Sequence, residues 1–429
     1  MRHRVTRRGR TAAAVCTVAL LAAVGGCAND PSDGVTTLNF FQFKGEALED
    51  FTQIIADFEA ENPDIRVVQN QVADADTAIR TLLVKDKAPD VITLNASGNF
   101  GRLAQAGVFY DFSDEPVLDT INPAVQEIMA DLGTFGDEVN GLGYVNNANG
   151  IIYNQDLFEQ QGLEVPETWD DLITVCDALE AAGITPFYGT LADSWTGMPS
   201  FNGLGAYPAG DDFFDAMREQ GEDTGRDSEV SFRKDFAEAL DRQAQLFGYM
   251  QEGYRGATYD DGNAAFANGE AAMLLQGIWA LSPIKGINPD IRAGIFPYPA
   301  ADDPADRVLV SGVDVAVTMA KDSPRQAEAL RFIEYLFQKD VIEEFAASQN
   351  MIPSVEGAEL SDEPAIQSVA PYFDEGRIAG FIDHQIPPSI PLAAIDQQFL
   401  FNGDAEAALA TLDREWSKVA ARTIPVTGE

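Results

Sequence analysis

Histidine, cysteine and paired carboxylates are the side chains that most often carry catalysis or hold a metal, and the first two are nearly missing from this chain. Its 429 residues include 2 histidines and 3 cysteines against 69 acidic residues. His3 stands in an arginine-rich N-terminal stretch, which leaves His384 as the one imidazole in the body of the chain. A Ser-His-Asp triad would have to be built on His384, and a multi-histidine zinc site cannot be built at all. Cys16 and Cys27 also lie near the N-terminus. Cys176, inside a helical pattern, therefore has no partner for a disulfide or a cysteine metal site and reads as a small buried hydrophobe. No Gly-x-x-x-x-Gly-Lys-Ser/Thr loop for cradling phosphate occurs, and neither a cofactor nor a metal is expected. A carboxylate pair is not excluded by number, although no segment resembles a glycosidase motif. Polar chemistry of a binding kind clusters instead in two short runs, Phe41-Gln42-Phe43-Lys44 and Asn95-Ala96-Ser97-Gly98-Asn99.

Both runs fall at the ends of expected strands. Residues 37–43 read as a strand and 46–61 as an amphipathic helix with Leu48, Phe51, Ile54, Ile55 and Phe58 on one stripe, stopped by Asn62-Pro63. Strand 65–68, helix 77–84 and strand 90–94 follow, a βαβαβ pattern that implies a largely parallel sheet flanked by helices. Thr168 can cap a helix running to Gly183. Ser323-Pro324-Arg325-Gln326 reads as a capping box opening another helix. Gly- and Pro-rich segments at 196–211 and 297–304 read as loops or crossings. Open α/β sheets hold ligands beyond the carboxyl ends of their strands, which is where the two polar runs lie.

The N-terminus sets the compartment. Residues 1–10 hold five arginines, 11–24 form an apolar run, and Gly25-Gly26 precede Cys27. This is the order of a cleavable export signal, and the apolar run is short of the roughly 20 residues a membrane span needs. Gly-Gly-Cys resembles a bacterial lipoprotein box, in which the cysteine takes a diacylglyceryl group; two acyl chains supply the double signal that stable anchoring needs. Residues 1–26 are thus expected to be the signal, and 27–34 the lipidated cysteine and linker. Removing five arginines and no acids would move the formal charge from −41 to −46. Such acidity argues against nucleic acid as a partner and favours a solvated, exported body on the outer side of the membrane.

Several runs together resemble the family 1 extracellular solute-binding proteins, the maltose-binding-protein group. They are KAPDVI at 87–92, LAQAGV at 103–108, IIYNQDLF at 151–158, PETWDDL at 166–172, FANGEAAM at 266–273 and QNMIPS at 349–354. The resemblance implies an α/β chain with the two-lobed periplasmic-binding-protein fold of the class II type. Each lobe would be a mixed, mostly parallel sheet flanked by helices, and hinge segments would join them. Residues 35–145 with 297–340 would form the N-terminal lobe, and 146–296 with 341–429 the C-terminal lobe. Crossings are expected near 145–149 and 296–299, with a return near 338–341. The implied role is the substrate-binding subunit of an ABC importer, a monomer that captures a carbohydrate and delivers it to membrane permeases driven by a separate ATPase. The segment at 38–46 looks like the subgroup that takes α-1,6-linked oligosaccharides such as raffinose or isomaltose-type sugars. A secreted glycosidase and a binding protein for a non-sugar solute are the alternatives.

Sugars offer hydroxyls that need paired donors and acceptors, and C–H faces that stack on aromatic rings. Trp195 sits in a Gly/Ser-bounded loop rather than on a periodic core face, whereas Trp169 and Trp416 lie in helical patterns and suit packing. Trp279, with Gln276 three residues before it, occupies a position where the family often places a sugar-facing aromatic. Gln42, Phe43 and Glu46 follow the first strand, and Asn95, Ser97 and Asn99 the third. Asn147 falls where a relative carries a ligand-contacting acid at the hinge, Asp193 precedes Trp195, and Asp314 stands where the family returns to the cleft. For the Asn, Asp and Ser candidates, capping and turn formation are the competing explanation. His384 and Gln385 precede a Pro-rich segment, and Lys44 reads as a solvated neighbour. The lipidation reading has a direct test: Cys27→Ser should move the protein from the membrane fraction to the soluble fraction with its melting temperature unchanged, and retention in the membrane would count against the anchor.

Overall fold

The computed structural model describes residues 34–420, apart from 73, 74, 86, 211, 226 and 302. The expected signal and Cys27 lie outside the described residues. Among the described residues twelve strands alternate with helices: β1 Thr36–Gln42, β2 Ile65–Gln71, β3 Val91–Leu94, β4 Leu142–Asn146, β5 Asn149–Asn154, β6 Thr185–Phe187, β7 Ala271–Gly277, β8 Ala293–Phe296, β9 Leu309–Val310, β10 Val313–Thr318, β11 Ile352–Pro353 and β12 Ile378–Ala379. They form two six-stranded sheets, one per lobe. The first has the order β11-β4-β10-β3-β1-β2; the second runs β12-β9-β5-β7-β6, with β8 also pairing to β5.

The opening βαβαβ unit gives the parallel pairs β1–β2 and β1–β3. The other pairs of that sheet are antiparallel, and in the second sheet only β12–β9 and β6–β7 are parallel. The sheets are therefore less parallel than the sequence pattern suggests, for a topological reason. The chain leaves the first lobe along β4 and returns along β10, so these neighbours must run in opposite directions; β5 and β9 do the same in the second. The crossings are short, at residues 147–148 and 311–312. Strand pairing thus puts the second crossing after β9 rather than near 296–299. It also keeps β11 on β4, so the chain is still in the first lobe beyond 341; the helix Lys339–Gln349 packs there, and Pro364–Asp374 then packs on β8.

Burial follows periodicity in the first lobe. Phe40 of β1 meets Phe51 at 5.2 Å and Phe332 at 5.4 Å, both edge-on, so helices Leu48–Glu61 and Gln326–Leu336 share one aromatic core with the sheet. Leu48 begins its helix and is 44% exposed, outside the buried stripe expected for it. Thr168 forms a full capping box with Asp171. Cys176 is buried, which pushes its thiol up to about 12. No helix among the described residues is long and apolar enough to cross a membrane.

Two local expectations give way to tertiary structure. Residues 198–209, read as loop, form the helix Met198–Ala209, buried on nearly every side. Its glycines permit close approach rather than turns: a Cβ on Gly203 would lie 2.0 Å from the Tyr298 ring, and one on Gly205 would lie 2.3 Å from Ile382. Pro199 takes the first turn, where its missing N–H costs nothing. Ser323 does not cap its helix, which starts at Gln326. Its hydroxyl accepts from the Arg325 N–H at 3.2 Å, one residue before the helix, and donates to Asp90 at 2.8 Å. Asp90 also accepts from both sides of the lobe, from Arg325 at 2.9 and 3.1 Å and from the Asn39 amide at 2.8 Å. Removing a buried charge that satisfies this many donors should be costly, so Asp90→Ala is expected to lower stability by about 3 kcal/mol, read from the urea midpoint with the folded far-UV spectrum retained.

Candidate functional site

The strand ends of both sheets meet at the crossings, and the backbone there is tied by side chains. The Asn147 N–H donates to the Gly312 carbonyl at 2.9 Å, and the Gly312 N–H donates to Asn147 Oδ1 at 2.9 Å. Ser311 Oγ donates to the Asn147 carbonyl at 2.7 Å. Asn149 donates through Nδ2 to the Pro199 carbonyl at 2.8 Å, fastening the first crossing to the buried helix Met198–Ala209. The side chain of Asn147 is thus engaged in joining the crossings.

On the first lobe, the β10 start lies beside the β3 end, where the Ala96 N–H reaches the Val313 carbonyl at 3.2 Å. Asn95 is exposed and donates to the Asp314 carbonyl at 3.3 Å. Lys44, expected to be solvated, is buried and pairs with Asp314 Oδ2 at 2.7 Å, the two side chains being 8% and 15% exposed. So enclosed a pair holds its geometry firmly, because each charge has lost most of its water and depends on the other. Ser97 occupies the N-cap position of the helix Gly98–Gln105 without capping it through its side chain. Asn99 accepts from Arg102 of the same helix at 2.9 Å and from Arg80 of the helix Ala75–Val84 at 3.0 Å. Gln42 is fully enclosed, and neither of its amide atoms has a partner. Phe43 packs on the lobe core, and the side chain of Glu46 lies outside the described residues.

On the second lobe, the end of β7 presents Gln276 and Trp279, whose Nε1 donates to Gln276 Oε1 at 3.0 Å. The indole lies over Gly277, where a Cβ would come within 2.1 Å of it. Phe381, absent from the sequence candidates, fills the space between this indole, 6.3 Å away between centroids, and the His384 ring at 5.4 Å. Its ring also rests on the second crossing, 2.6 Å from where a Gly312 Cβ would be. Asp383 is a second miss: its N–H donates to Asn202 at 3.0 Å, while its buried Oδ1 has no hydrogen-bond partner and lies 3.9 Å from His384 Nε2. The signal available in sequence was weak, since residues 380–384 show no strand or helix period and only His384 stood out by rarity. The Gln385 amide reaches across to the Asp131 carbonyl of the first lobe at 2.9 Å. Farther along the second lobe, Trp195 is 42% exposed and lies on Tyr259 at 5.0 Å between centroids. Asp193 accepts from the Tyr259 N–H at 2.8 Å, so one of its oxygens serves a helix start.

The structure therefore gathers Asn95, Asp314 and Lys44 on one side of the crossings and Gln276, Trp279, Phe381, Asp383 and His384 on the other. Trp195 and Tyr259 form a separate aromatic surface. Such a set can stack on an apolar face and bond to neutral polar groups. Among the described residues no cluster of three or more His, Cys, Asp or Glu is placed to hold a metal.

The sequence profile of the bacterial extracellular solute-binding proteins matches residues 45–343. The multiple sugar-binding protein of Streptococcus mutans is 28% identical over 312 residues, which span 72% of this chain and 73% of that protein. The apo form of RafE from Streptococcus pneumoniae superposes with a TM-score of 0.79 at 24% identity, over 91% of this chain and 100% of that one. RafE in complex with raffinose superposes with a TM-score of 0.73 at 25% identity, over 90% and 100%. The crossing geometry generates a test of its own. Asn147→Ala removes the acceptor for the Gly312 N–H, and should lower stability by about 1 to 2 kcal/mol while selectively speeding hydrogen exchange at that amide.

Proposed function

The chain belongs to the bacterial extracellular solute-binding protein family, and from that premise we propose that it captures a carbohydrate between its lobes and delivers it to the permeases of an ABC importer. The observation that carries this reading is the pairing of aromatic faces with unsatisfied polar groups at the crossings. Trp279, Phe381 and His384 offer ring surfaces for sugar C–H faces, and Asp383 Oδ1, which accepts no hydrogen bond within the chain, is an acceptor for a hydroxyl. Asn95 and the Lys44–Asp314 pair lie on the first-lobe side of the crossings, and Trp195 with Tyr259 adds a separate aromatic surface on the second lobe. An oligosaccharide of the α-1,6-linked, raffinose or isomaltose type is the ligand we favour; a neighbour in fold solved with raffinose supports it.

We read the protein as a binder without catalytic activity, held as a monomer at the outer face of the membrane through lipid on Cys27. The energy for transport would come from a separate ATPase. A ligand that touches both lobes binds best when they approach, and only this difference in affinity can shift the population toward closure. The short crossings at 147–148 and 311–312 are where rotation would be absorbed.

Calorimetry against raffinose, isomaltose and their longer homologues tests the reading, together with small-angle scattering of the same samples. A bound sugar should lower the radius of gyration without being consumed. Trp195→Ala and Trp279→Ala should each weaken binding by about 1 to 3 kcal/mol with little change in unliganded melting. Turnover of the sugar would make the protein an enzyme, and failure to bind any of the panel would point to a non-sugar solute.

A further inference from the structure

Beneath the turn that carries Trp195 lies a buried carboxyl without a counter-ion. Asp396, on the helix Leu392–Asn402, is 3% exposed. Its Oδ2 accepts from Gln243 Nε2 at 3.3 Å, while Asp396 Oδ1 and Gln243 Oε1 are both buried with no partner. The same carboxyl presses on the turn Ser194–Gly197, since a Cβ on Gly197 would lie 2.3 Å from Oδ2. Gln243 Nε2 also reaches the Gly197 carbonyl at 3.2 Å and Ser200 Oγ at 3.0 Å, and Ser200 donates to that carbonyl at 2.9 Å. Next in sequence, Gln397 donates to the Leu191 carbonyl at 2.7 Å. Residues 396–397 therefore grip both ends of the segment that presents Trp195.

The charged groups on neighbouring elements are engaged elsewhere. Arg242 pairs with Glu238 and the Ala300 carbonyl, Arg255 donates to the Phe401 carbonyl and lies over the Phe401 ring at the far end of the helix, Arg233 pairs with Glu406, Asp413 accepts from the Phe232 amide, Asp193 accepts from the Tyr259 amide, and Arg414 and Lys418 pair with Glu415. An ionised Asp396 would thus be a buried charge with no cation, set beside a second orphaned acceptor. Both faults are costly, and one proton removes them together. We propose that Asp396 is held as the neutral acid, its Oδ1–H donating to Gln243 Oε1 while Oδ2 accepts from Nε2. This closed acid–amide pair acts as a positioning device for the turn bearing Trp195. For ligand binding the inference rests on the carbohydrate reading above; for the pair itself it does not.

Burial pushes the Asp396 carboxyl from its ordinary 3.8 up to about 7. Between those values the folded chain keeps a proton that the unfolded chain has released, so its stability falls as pH rises through this window and levels off above it. Asp396→Asn preserves both hydrogen bonds, because its amide donates to Oε1 and accepts from Nε2, and it has no proton to lose. Thermal and urea melts of the mature chain should therefore show the folding constant of the variant gaining on the wild type by about tenfold per pH unit up to about 7, and no further above it. The Trp195-dependent part of the fluorescence, taken as wild type minus Trp195→Phe, should shift over the upper part of that range in wild type and stay flat once Asp396→Asn is introduced into both proteins. In the wild-type protein itself, the carbon-13 resonance of the Asp396 carboxyl should titrate near neutrality. Parallel pH profiles for the two proteins, or a carbon resonance that titrates as an ordinary carboxylate, would overturn the inference. None of these readouts needs a ligand, so a failure to bind raffinose would count only against the carbohydrate reading.

Discussion

The architecture depends on how the two short passages between the sheets, β4 to β5 and β9 to β10, are kept from drifting. Asn147 answers this constraint by acting through its backbone and its side chain together, donating from its N–H to the Gly312 carbonyl and accepting the Gly312 N–H on Oδ1. With the Ser311 hydroxyl on the Asn147 carbonyl, three hydrogen bonds bind two extended crossings side by side. Everything placed relative to the crossings inherits that precision. β4 and β10 end there on one side, β5 and β9 on the other, and Phe381 rests directly on Gly312. A pair of short crossings can bend while keeping their register, which suits lobes that move as rigid bodies.

Around that point the second lobe is built by close approach. The helix Met198–Ala209 can lie in the centre of the lobe because Gly203 and Gly205 admit the Tyr298 ring and Ile382. Gly277 likewise admits the Trp279 indole. In each case the residue that matters is small so that its neighbour can be large. The aromatic surfaces near the crossings are therefore set by packing beneath them as much as by their own identity.

The lobes handle buried charge differently. In the first, Asp90 and Asp314 are matched by Arg325 and Lys44, so each acid has a cation within hydrogen-bonding distance. In the second, Asp396 is buried among neutral groups and burial raises its carboxyl above the ordinary range; burial also raises that of Asp413, against the pull of the Arg233 charge. For a chain with 69 acids and 28 bases, cations are the scarcer resource, and keeping a buried acid protonated is the other way to make burial tolerable.

The first lobe was largely legible in the sequence because its elements are local. The strand at Thr36–Gln42 and the helix at Leu48–Glu61 carry their own periodicity, and the polar runs at 41–44 and 95–99 fall at strand ends by simple counting. The resemblance in several short runs likewise pointed to the family and its two lobes. Residue roles were less legible. Lys44 looks solvated until β10 brings Asp314 against it, and Ser323 looks like a cap until β3 brings Asp90. Residues 198–209 look like a loop because Gly and Pro are local helix breakers; only Tyr298 and Ile382, distant in sequence, make those glycines useful inside a helix. Phe381 and Asp383 had no periodic signal at all, and the contact with Gly312 is what puts them beside the crossings. Sequence by itself determined what one segment can decide alone, namely period, capping and composition. Tertiary structure decided which charges meet and, for the most part, which glycines are overlaid and which aromatics gather, because those meetings depend on partners distant in sequence, as Lys44 and Asp314 are 270 residues apart and Asn39 and Asp90 are 51.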